Sequence, residues 1–322
     1  MEIPNTSLSL LDFDVIQTIG MGSFSQVKLI KLRGNSSMAP FALKILKKTL
    51  ILNSRELPHI KSEKEILSTL RFPFIPKFFG SFQDPHFLYF LFEYINGGEL
   101  FYSIRKNKRF ASDKVRFYGS QILLTLEYLH SLGVIYRDLK PENVLIDKKG
   151  NLKLTDFSFA KKIEGKTYTM CGTQEYLAPE VIMNSQGYSF LADWWAFGVL
   201  LYEMSEGISP FSDKNPILIY KKILEGNFKF KHTSDRQLKS LIRGLLKDDK
   251  NRLGKRLGAD DIKTSKFFKN VNWTNVLLKN LKAPWVPKLE DKEDTKYFPK
   301  YNELETRASV IPENSNTLFE DF

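Results

Sequence analysis

Asp138, Lys140 and Asn143 stand within the eight residues Tyr136-Arg137-Asp138-Leu139-Lys140-Pro141-Glu142-Asn143, an acid, a base and an amide close enough to serve one loop. Such a set suits phosphoryl transfer, in which the protein does little covalent work and instead orients a hydroxyl, neutralises charge and holds Mg2+. Read alone, the same letters describe a polar turn broken by Pro141, so the context decides. Thirteen residues after Asn143 comes Asp156, directly after Leu152-Lys153-Leu154-Thr155, whose alternation marks a short strand. An acid at a strand end can reach a metal. Asp156-Phe157-Ser158 opens a segment that Ala178-Pro179-Glu180 closes.

The elements that must position these residues are also legible. Alternation predicts strands over 15–19, 26–30 and 41–45, and the first two flank the tip Gly20-Met21-Gly22-Ser23-Phe24-Ser25. Glycines at such a tip let backbone N–H groups approach phosphate oxygens. Lys44 stands on the third strand, and nineteen residues on Glu63 falls in a helical stretch in which Ile60, Leu67 and Leu70 share a face. Two more strands are expected over 78–82 and 88–92. Gly97-Gly98 then marks a hinge, after which the periodicity turns helical, notably over 115–132. Asp193-Trp194-Trp195 and the apolar run 196–202 read as a buried structural helix beneath the 136–143 loop. His130 reads as a packed or capping histidine.

At 322 residues the chain can bury a sizeable core in one large domain or two lobes. With 42% hydrophobic and 26% charged residues it is of ordinary globular composition, which leaves disorder to the ends. A lone Cys171 excludes an intramolecular disulfide and suits a reducing compartment. The N-terminal residues lack the features of a signal peptide, Glu2 stands where myristoylation needs Gly, and Phe319-Glu320-Asp321-Phe322 is no prenylation box. The expectation is a soluble protein with no membrane partner. The net charge of +11 is spread along the chain without a nucleic-acid-binding motif, and reads as a solvated basic face rather than a nucleic-acid site.

The order of these parts is that of the protein kinase signature set, and the resemblance to eukaryotic protein kinases covers about 13–268 plus a tail. It narrows to the AGC serine/threonine kinases, most closely the catalytic subunits of cAMP-dependent protein kinase, on Leu126-Glu127-Tyr128-Leu129-His130-Ser131-Leu132, the 135–143 stretch, Cys171-Gly172-Thr173, Glu175-Tyr176-Leu177-Ala178-Pro179-Glu180 and Asp193-Trp194-Trp195-Ala196. It implies an α+β, bilobal kinase fold. A short extension (1–12) precedes a small, mainly antiparallel β lobe with one key helix (13–95), a larger helical lobe (96–268) and a tail wrapping both lobes (269–322).

The same resemblance implies roles. ATP and Mg2+ are the cofactors, with Asn143 and Asp156 on the metal, Asp138 orienting the hydroxyl, Lys140 neutralising the γ-phosphate, and Lys44 paired with Glu63. Nucleotide contacts fall to Ile19, Gly20, Met21, Gly22, Ser23, Phe24, Ser25, Gln26, Val27 and Lys44, to the backbone at Glu93 and Ile95, to Glu99 at the ribose, and to Phe298 and Tyr301 of the tail. Phe92 stands at the entrance behind adenine, and Phe319 and Phe322 dock back on the small lobe. Glu99, Glu142 and Glu203 read arginines upstream of the target, while Met170 and Leu177 seat the residue after it. Thr169 is the expected activating phosphosite, met by His59, Arg137 and Lys161, and Ser309 a self-phosphorylation site. The implied partners are protein substrates with upstream Arg and an inhibitory cAMP-binding regulatory subunit contacting Tyr168 and Tyr220. The expected location is the cytoplasm, with the nucleus as a second one.

The chain departs from the family pattern at Ser25, in place of a third loop glycine, at Ser158, in place of the glycine after Asp-Phe, and at Gln174, where close relatives have Pro. Its stretch before Phe13 is shorter than in animal relatives. Loss of the glycine at 158 is expected to bias Asp156 toward one conformation. Ser25 and Ser158 motivate a rival reading, a nucleotide-binding module without transfer, and within the enzyme class the rival is an AGC kinase not controlled by cAMP.

Overall fold

The computed structural model describes residues 8–22, 25–35, 37–301 and 317–322, so Ser23, Phe24 and Ser309 lie outside the described residues. The chain divides into two compact units: residues 1–71, 76–98 and 288–322, and residues 72–75 and 99–287. The division after Gly98 falls three residues beyond the 95/96 boundary expected from sequence. The tail is shared, 269–287 belonging to the second unit and 288 onward to the first.

In the first unit, β1 (Phe13–Met21), β2 (Ser25–Leu32), β3 (Phe41–Lys47), β4 (Phe78–Gln83) and β5 (Phe87–Glu93) form one antiparallel sheet in the order β1-β2-β3-β5-β4. Aromatic and β-branched residues alternate along them as a half-buried pleated surface requires. The inward set Phe13, Ile30, Phe41, Leu43, Phe82, Tyr89 and Leu91 packs into one cluster. Within it Phe82 stacks on Tyr89 with ring centres 4.7 Å apart. Between β3 and β4 run the helices α1 (Lys48–Ser54) and α2 (Leu57–Thr69). α2 buries Ile60, Ile66 and Leu67, and carries Glu63 inward on the same stripe.

The end of the chain is built into this unit. Phe319 is fully buried and its carbonyl accepts a 2.7 Å hydrogen bond from Gln83 Nε2. The Phe322 ring stacks on Phe90 at 6.1 Å. Lys48 and Lys64 lay their ammonium groups 4.9 Å and 4.8 Å from the Phe319 and Phe322 ring centres. Burial holds the Lys48 amine below its ordinary range, and the aromatic face offsets part of that cost. Phe319→Ala should therefore cost about 3–5 kcal/mol, as for other buried rings, read as an earlier thermal transition and loss of amide protection in α2. Unchanged protection would mean that 317–322 adds nothing to this unit. At the hinge Gly98 has φ +77°, and an added Cβ would lie 2.7 Å from Tyr297. Only glycine combines that backbone with so close an approach of the tail.

The second unit is mainly helical: α3 (Leu100–Asn107), α4 (Ser112–Ser131), α5 (Pro179–Met183), α6 (Leu191–Glu206), α7 (Pro216–Glu225), α8 (Arg236–Leu245), α9 (Ala259–Lys263) and α10 (Trp273–Leu277). α6 is mostly apolar and is buried from Ala192 to Glu206, as a helix at the centre of a large lobe must be. Two small antiparallel ladders, β6 (Val134–Ile135) with β9 (Lys161–Lys162) and β7 (Val144–Ile146) with β8 (Leu152–Leu154), flank the 136–143 loop. No described helix is long and apolar enough to cross a membrane.

Candidate active site

The loop carrying Asp138 is hung on α6. Asp193 accepts the backbone N–H of Tyr136 and of Arg137, each at 2.9 Å, and pairs with His130 Nε2 at 2.8 Å. His130 is thus held by Asp193 and by the Phe190 and Trp194 rings, the packed role expected of it. Arg137 takes φ +72° and Asp156 φ +53°, a region costly for side chains other than glycine and tolerated where surroundings over-determine it. Pairing of Val144 with Leu154 brings the two ends of the chemistry together: Thr155 donates both its N–H and its hydroxyl to the Asn143 carbonyl, at 2.9 and 3.0 Å.

Asp138 is buried, and three donors converge on its carboxylate. Thr173 Oγ1 donates to Oδ1 at 2.8 Å, and Asn143 Nδ2 and Lys140 Nζ reach Oδ2, each at 2.8 Å. Lys140 also donates to Thr173 Oγ1 at 3.0 Å. A carboxylate has about four acceptor positions, so one remains for a substrate hydroxyl. Thr173 is the member that sequence reasoning quoted without a role. Its only signal was its place in Cys171-Gly172-Thr173, 35 residues from Asp138, and only the fold brings them together.

The metal set is spare. Asn143 Nδ2 donates to both the Asp138 carbonyl and carboxylate, so its amide oxygen takes no part in these bonds. Asp156 is exposed, with Oδ1 accepting the Ser158 N–H at 3.3 Å. Among the described residues no group of three or more His, Cys, Asp or Glu could hold a metal ion. One carboxylate and one amide oxygen fit Mg2+, which keeps waters and takes its remaining ligands from phosphates. Ser158 is not among the residues with positive φ, so serine fits this arrangement without backbone strain.

In the first unit, Lys44 lies opposite Val27 on β2 and Phe90 on β5, and its Nζ meets Glu63 Oε1 at 2.7 Å. Glu63 is buried there. The pairing that the family resemblance implies is made, and Glu65, the competing acid, is exposed. Ile19 and Gln26 are buried near the end of the β1–β2 hairpin, and Gly22 N–H donates to the Ser25 carbonyl at 2.7 Å. A Cβ on Gly22 would come 3.0 Å from Ser25 Oγ, so the serine at the third glycine position fills space beside the tip. Gly20 and Met21 end β1, with Met21 exposed. Ile95 is buried, Phe92 packs on Phe78 at 5.3 Å, and Phe298 lies 5.9 Å from the Tyr94 ring. The Glu93 carboxylate accepts the Lys77 N–H at 3.1 Å.

Three acids gather near the loop in the second unit. Glu203 is buried, with Oε1 accepting from Arg105 at 2.8 Å and Oε2 from the Tyr176 hydroxyl at 2.5 Å. Burial raises its carboxyl, which Tyr176 and Arg105 partly offset. Glu99 is pushed up to about 7, first by burial and then by the charge of Glu142, which is itself exposed. Leu177 is buried and Met170 exposed. Gln174 Nε2 donates to the Pro216 carbonyl at 2.8 Å, tying this segment to α7.

Thr169 is exposed, and its carbonyl accepts the Tyr188 hydroxyl. Arg137 Nη1 donates to that hydroxyl at 3.3 Å, and Lys161 Nζ to Thr167 Oγ1 at 3.3 Å. Arg137 is therefore linked through Tyr188 to the Thr169 backbone and Lys161 to Thr167 two residues before it, and Tyr188 is a connecting residue that spacing did not suggest. His59 belongs to the first unit, where Nδ1 pairs with Glu56 at 2.8 Å. Tyr168 is exposed and Tyr220 half-buried.

The family model described as Protein kinase domain matches residues 13–268. The chain is 43% identical over 318 residues to the human cAMP-dependent protein kinase catalytic subunit PRKX, covering 98% of this chain and 88% of that protein. It is 41% identical over 309 residues to cAMP-dependent protein kinase type 3 of Saccharomyces cerevisiae, covering 95% and 77%. A further Saccharomyces cerevisiae relative, named as a serine/threonine-protein kinase, is 42% identical over 298 residues, covering 91% of this chain and 43% of its own length. A loop of acid, lysine and amide hung on a buried helix, a lysine on a five-stranded sheet paired with a glutamate on α2, and these likenesses agree: the chain belongs to the protein kinase family, as an AGC serine/threonine kinase of the type of the cAMP-dependent protein kinase catalytic subunits.

Proposed function

We propose that this kinase transfers the γ-phosphoryl group of ATP to Ser or Thr hydroxyls that follow arginine, and that a cAMP-binding regulatory subunit holds it inactive. The observation that carries the chemistry is the Asp138 carboxylate, locked by Thr173, Asn143 and Lys140 with one acceptor position to spare. There it orients the substrate hydroxyl and takes its proton as the oxygen–phosphorus bond forms and the bond from the γ-phosphorus to the bridging oxygen breaks. Lys140, already beside Asp138, meets the charge on the γ-phosphate. Asn143 and Asp156 would hold Mg2+, which when bound neutralises phosphate charge. The test is transfer from labelled ATP to an Arg-Arg-x-Ser peptide: a chain that transfers to Arg-free peptides equally well loses the specificity reading.

The arginine preference rests on the acids. A carboxylate accepts a guanidinium fork through two hydrogen bonds, which lysine imitates poorly. Because the Glu99 carboxyl titrates at about 7, it is charged above that pH and neutral below it. Attraction for a substrate arginine is present at pH 8 and lost as pH falls toward 6. We expect kcat/KM for the arginine peptide to drop about tenfold over that range beyond the loss shown by an Arg-free peptide, with Glu99→Gln removing the difference. A profile unchanged in Glu99→Gln would take this acid out of substrate reading.

Thr169 is proposed as the activating phosphosite, because its phosphate would add about −1.5 to −2 charges beside Arg137 and Lys161. Thr169→Ala is expected to lower kcat/KM about tenfold or more, and full activity of that variant would sink the assignment. The alternative within the class, an AGC kinase free of cAMP control, draws on the 42% identity to a relative named without cAMP. Inhibition by a regulatory subunit from the same source, reversed by cAMP, separates the two.

A further inference from the structure

Beyond the acids read as facing the substrate, the second unit carries a set of basic side chains that, among the described residues, pair with no carboxylate. Arg105 joins the two regions: one arm of its guanidinium meets Glu203, the other the Gly207 carbonyl. Just beyond Arg105 the chain turns over the end of α6. An added Cβ on Gly207, whose φ is +87°, would lie 2.0 Å from the Lys108 carbonyl, so the loop bearing Lys108 and Arg109 rests on the backbone there. At the same helix end, buried Glu206 accepts the backbone N–H groups of Lys231, His232 and Thr233 at 2.7–2.9 Å. Tyr202 donates to the Lys229 carbonyl at 2.7 Å. This anchoring is of backbone, and the Lys229 and Lys231 side chains are exposed. The Phe230 ring then supports Lys239 and Arg243 of α8, 5.6 and 5.1 Å from its centre.

Lys108, Arg109, Lys229, Lys231, Lys239 and Arg243 are thus carried by three segments fixed to one helix end or to one ring, and among the described residues none of them forms an ion pair with a carboxylate. The nearby acids are engaged elsewhere: Glu206 with backbone amides, Asp235 capping α8, Asp113 with Arg116, Glu225 with Lys221. Like charges held together without partners repel, and an anionic partner relieves that cost.

We propose that this face docks an acidic segment of the protein substrate, upstream of the arginines that precede the target hydroxyl. The proposal rests on the Arg-directed reading above and adds to it. Glu203 and Glu206 are three residues apart on α6, about 4.5 Å along its axis. A substrate arginine at Glu203 therefore leaves the preceding chain, extending by about 3.3–3.6 Å per residue, within a few residues of the basic face. The acids of the site and the cations beyond it would read one substrate in two registers of opposite charge. A substrate whose arginines were preceded by further lysines would be repelled.

The test uses the full chain and four peptides: a short Arg-Arg-x-Ser peptide, and the same peptide carrying about four Glu, four Lys or a Gly-Ser run roughly four to eight positions before the serine. The expected result at low salt is a KM five- to tenfold lower for the Glu extension than for Gly-Ser, with kcat within twofold and the effect fading at high salt. In a Lys108→Glu, Lys229→Glu, Lys231→Glu variant the preference should pass to the Lys extension, while the short peptide keeps its kcat/KM within twofold, which also shows that the variant folds. Equal KM values for all three extensions, or a Glu preference that survives charge reversal, overturns the proposal even if the short peptide is a good substrate. Failure of the short peptide beside phosphorylation of Arg-free ones overturns the Arg-directed reading instead. A parallel arm measures sedimentation with anionic lipid vesicles: binding lost in the charge-reversed variant, with no effect of the Glu extension, assigns the face to a membrane surface and overturns the substrate proposal.

Discussion

Asp138→Asn should lower kcat by about 10²–10⁴, the range for removing a positioned acid–base group, while nucleotide affinity changes less than about threefold. The substitution keeps shape and removes what the site needs. Thr173, Asn143 and Lys140 all point donors at the carboxylate, so an amide there sets its own N–H₂ against at least one of them and cannot take a proton. Single-turnover transfer from labelled ATP, beside a fluorescence titration of nucleotide binding, separates chemistry from affinity. Transfer within tenfold of the unchanged chain would remove Asp138 from its assigned role. Thr173→Ala, which deletes one of the three donors and leaves the acid, should fall between the two.

Arg252→Ala is expected to destabilise the second unit as much as Phe319→Ala destabilises the first. The Arg252 side chain is completely buried and makes a two-armed pair with Glu180, with further bonds to the Leu191 and Lys247 carbonyls. Removing it strands the Glu180 charge and two carbonyls, a loss of about 3–5 kcal/mol for breaking a buried pair. That is a large share of the 5–15 kcal/mol typical of a folded protein. Thermal or urea unfolding of the second unit should show it, and Arg252→Met with Glu180→Leu should recover part of the loss because no charge is then left unpaired. A melting temperature unchanged in the single variant would show that water enters and solvates Glu180.

Much of the site was legible because its chemistry is local. Asp138, Lys140 and Asn143 are neighbours in sequence, and their alternating and turn-forming surroundings mark the loop and the strand before Asp156. Lys44 and Glu63 were placed on a strand and a helix by their periods and paired by the family resemblance, and the 2.7 Å contact agrees. The strands 15–19 and 41–45 extend further, to 13–21 and 41–47, because ladder pairing continues past the alternating core. Glu203 was read as facing substrate, yet both its oxygens are taken by Arg105 and Tyr176, so a substrate arginine must share it.

Sequence alone determined which side chains could do chemistry, their order, and the periods of the elements that carry them, since these depend on residue type and on spacings of a few positions. It could not determine contacts across long stretches of chain. Thr173 against Asp138, the Asp193 carboxylate on the Arg137 N–H, Tyr188 against Arg137, and Arg252 on Glu180 are separated by 35, 56, 51 and 72 residues, and no local pattern encodes these bonds. Tertiary structure decided these because a buried donor or charge must find a partner wherever packing brings one, and packing is set by the whole core at once. The basic face is of the same kind: lysines scattered along the sequence come together only when the 108–109 loop and the 229–233 segment fold onto the end of α6.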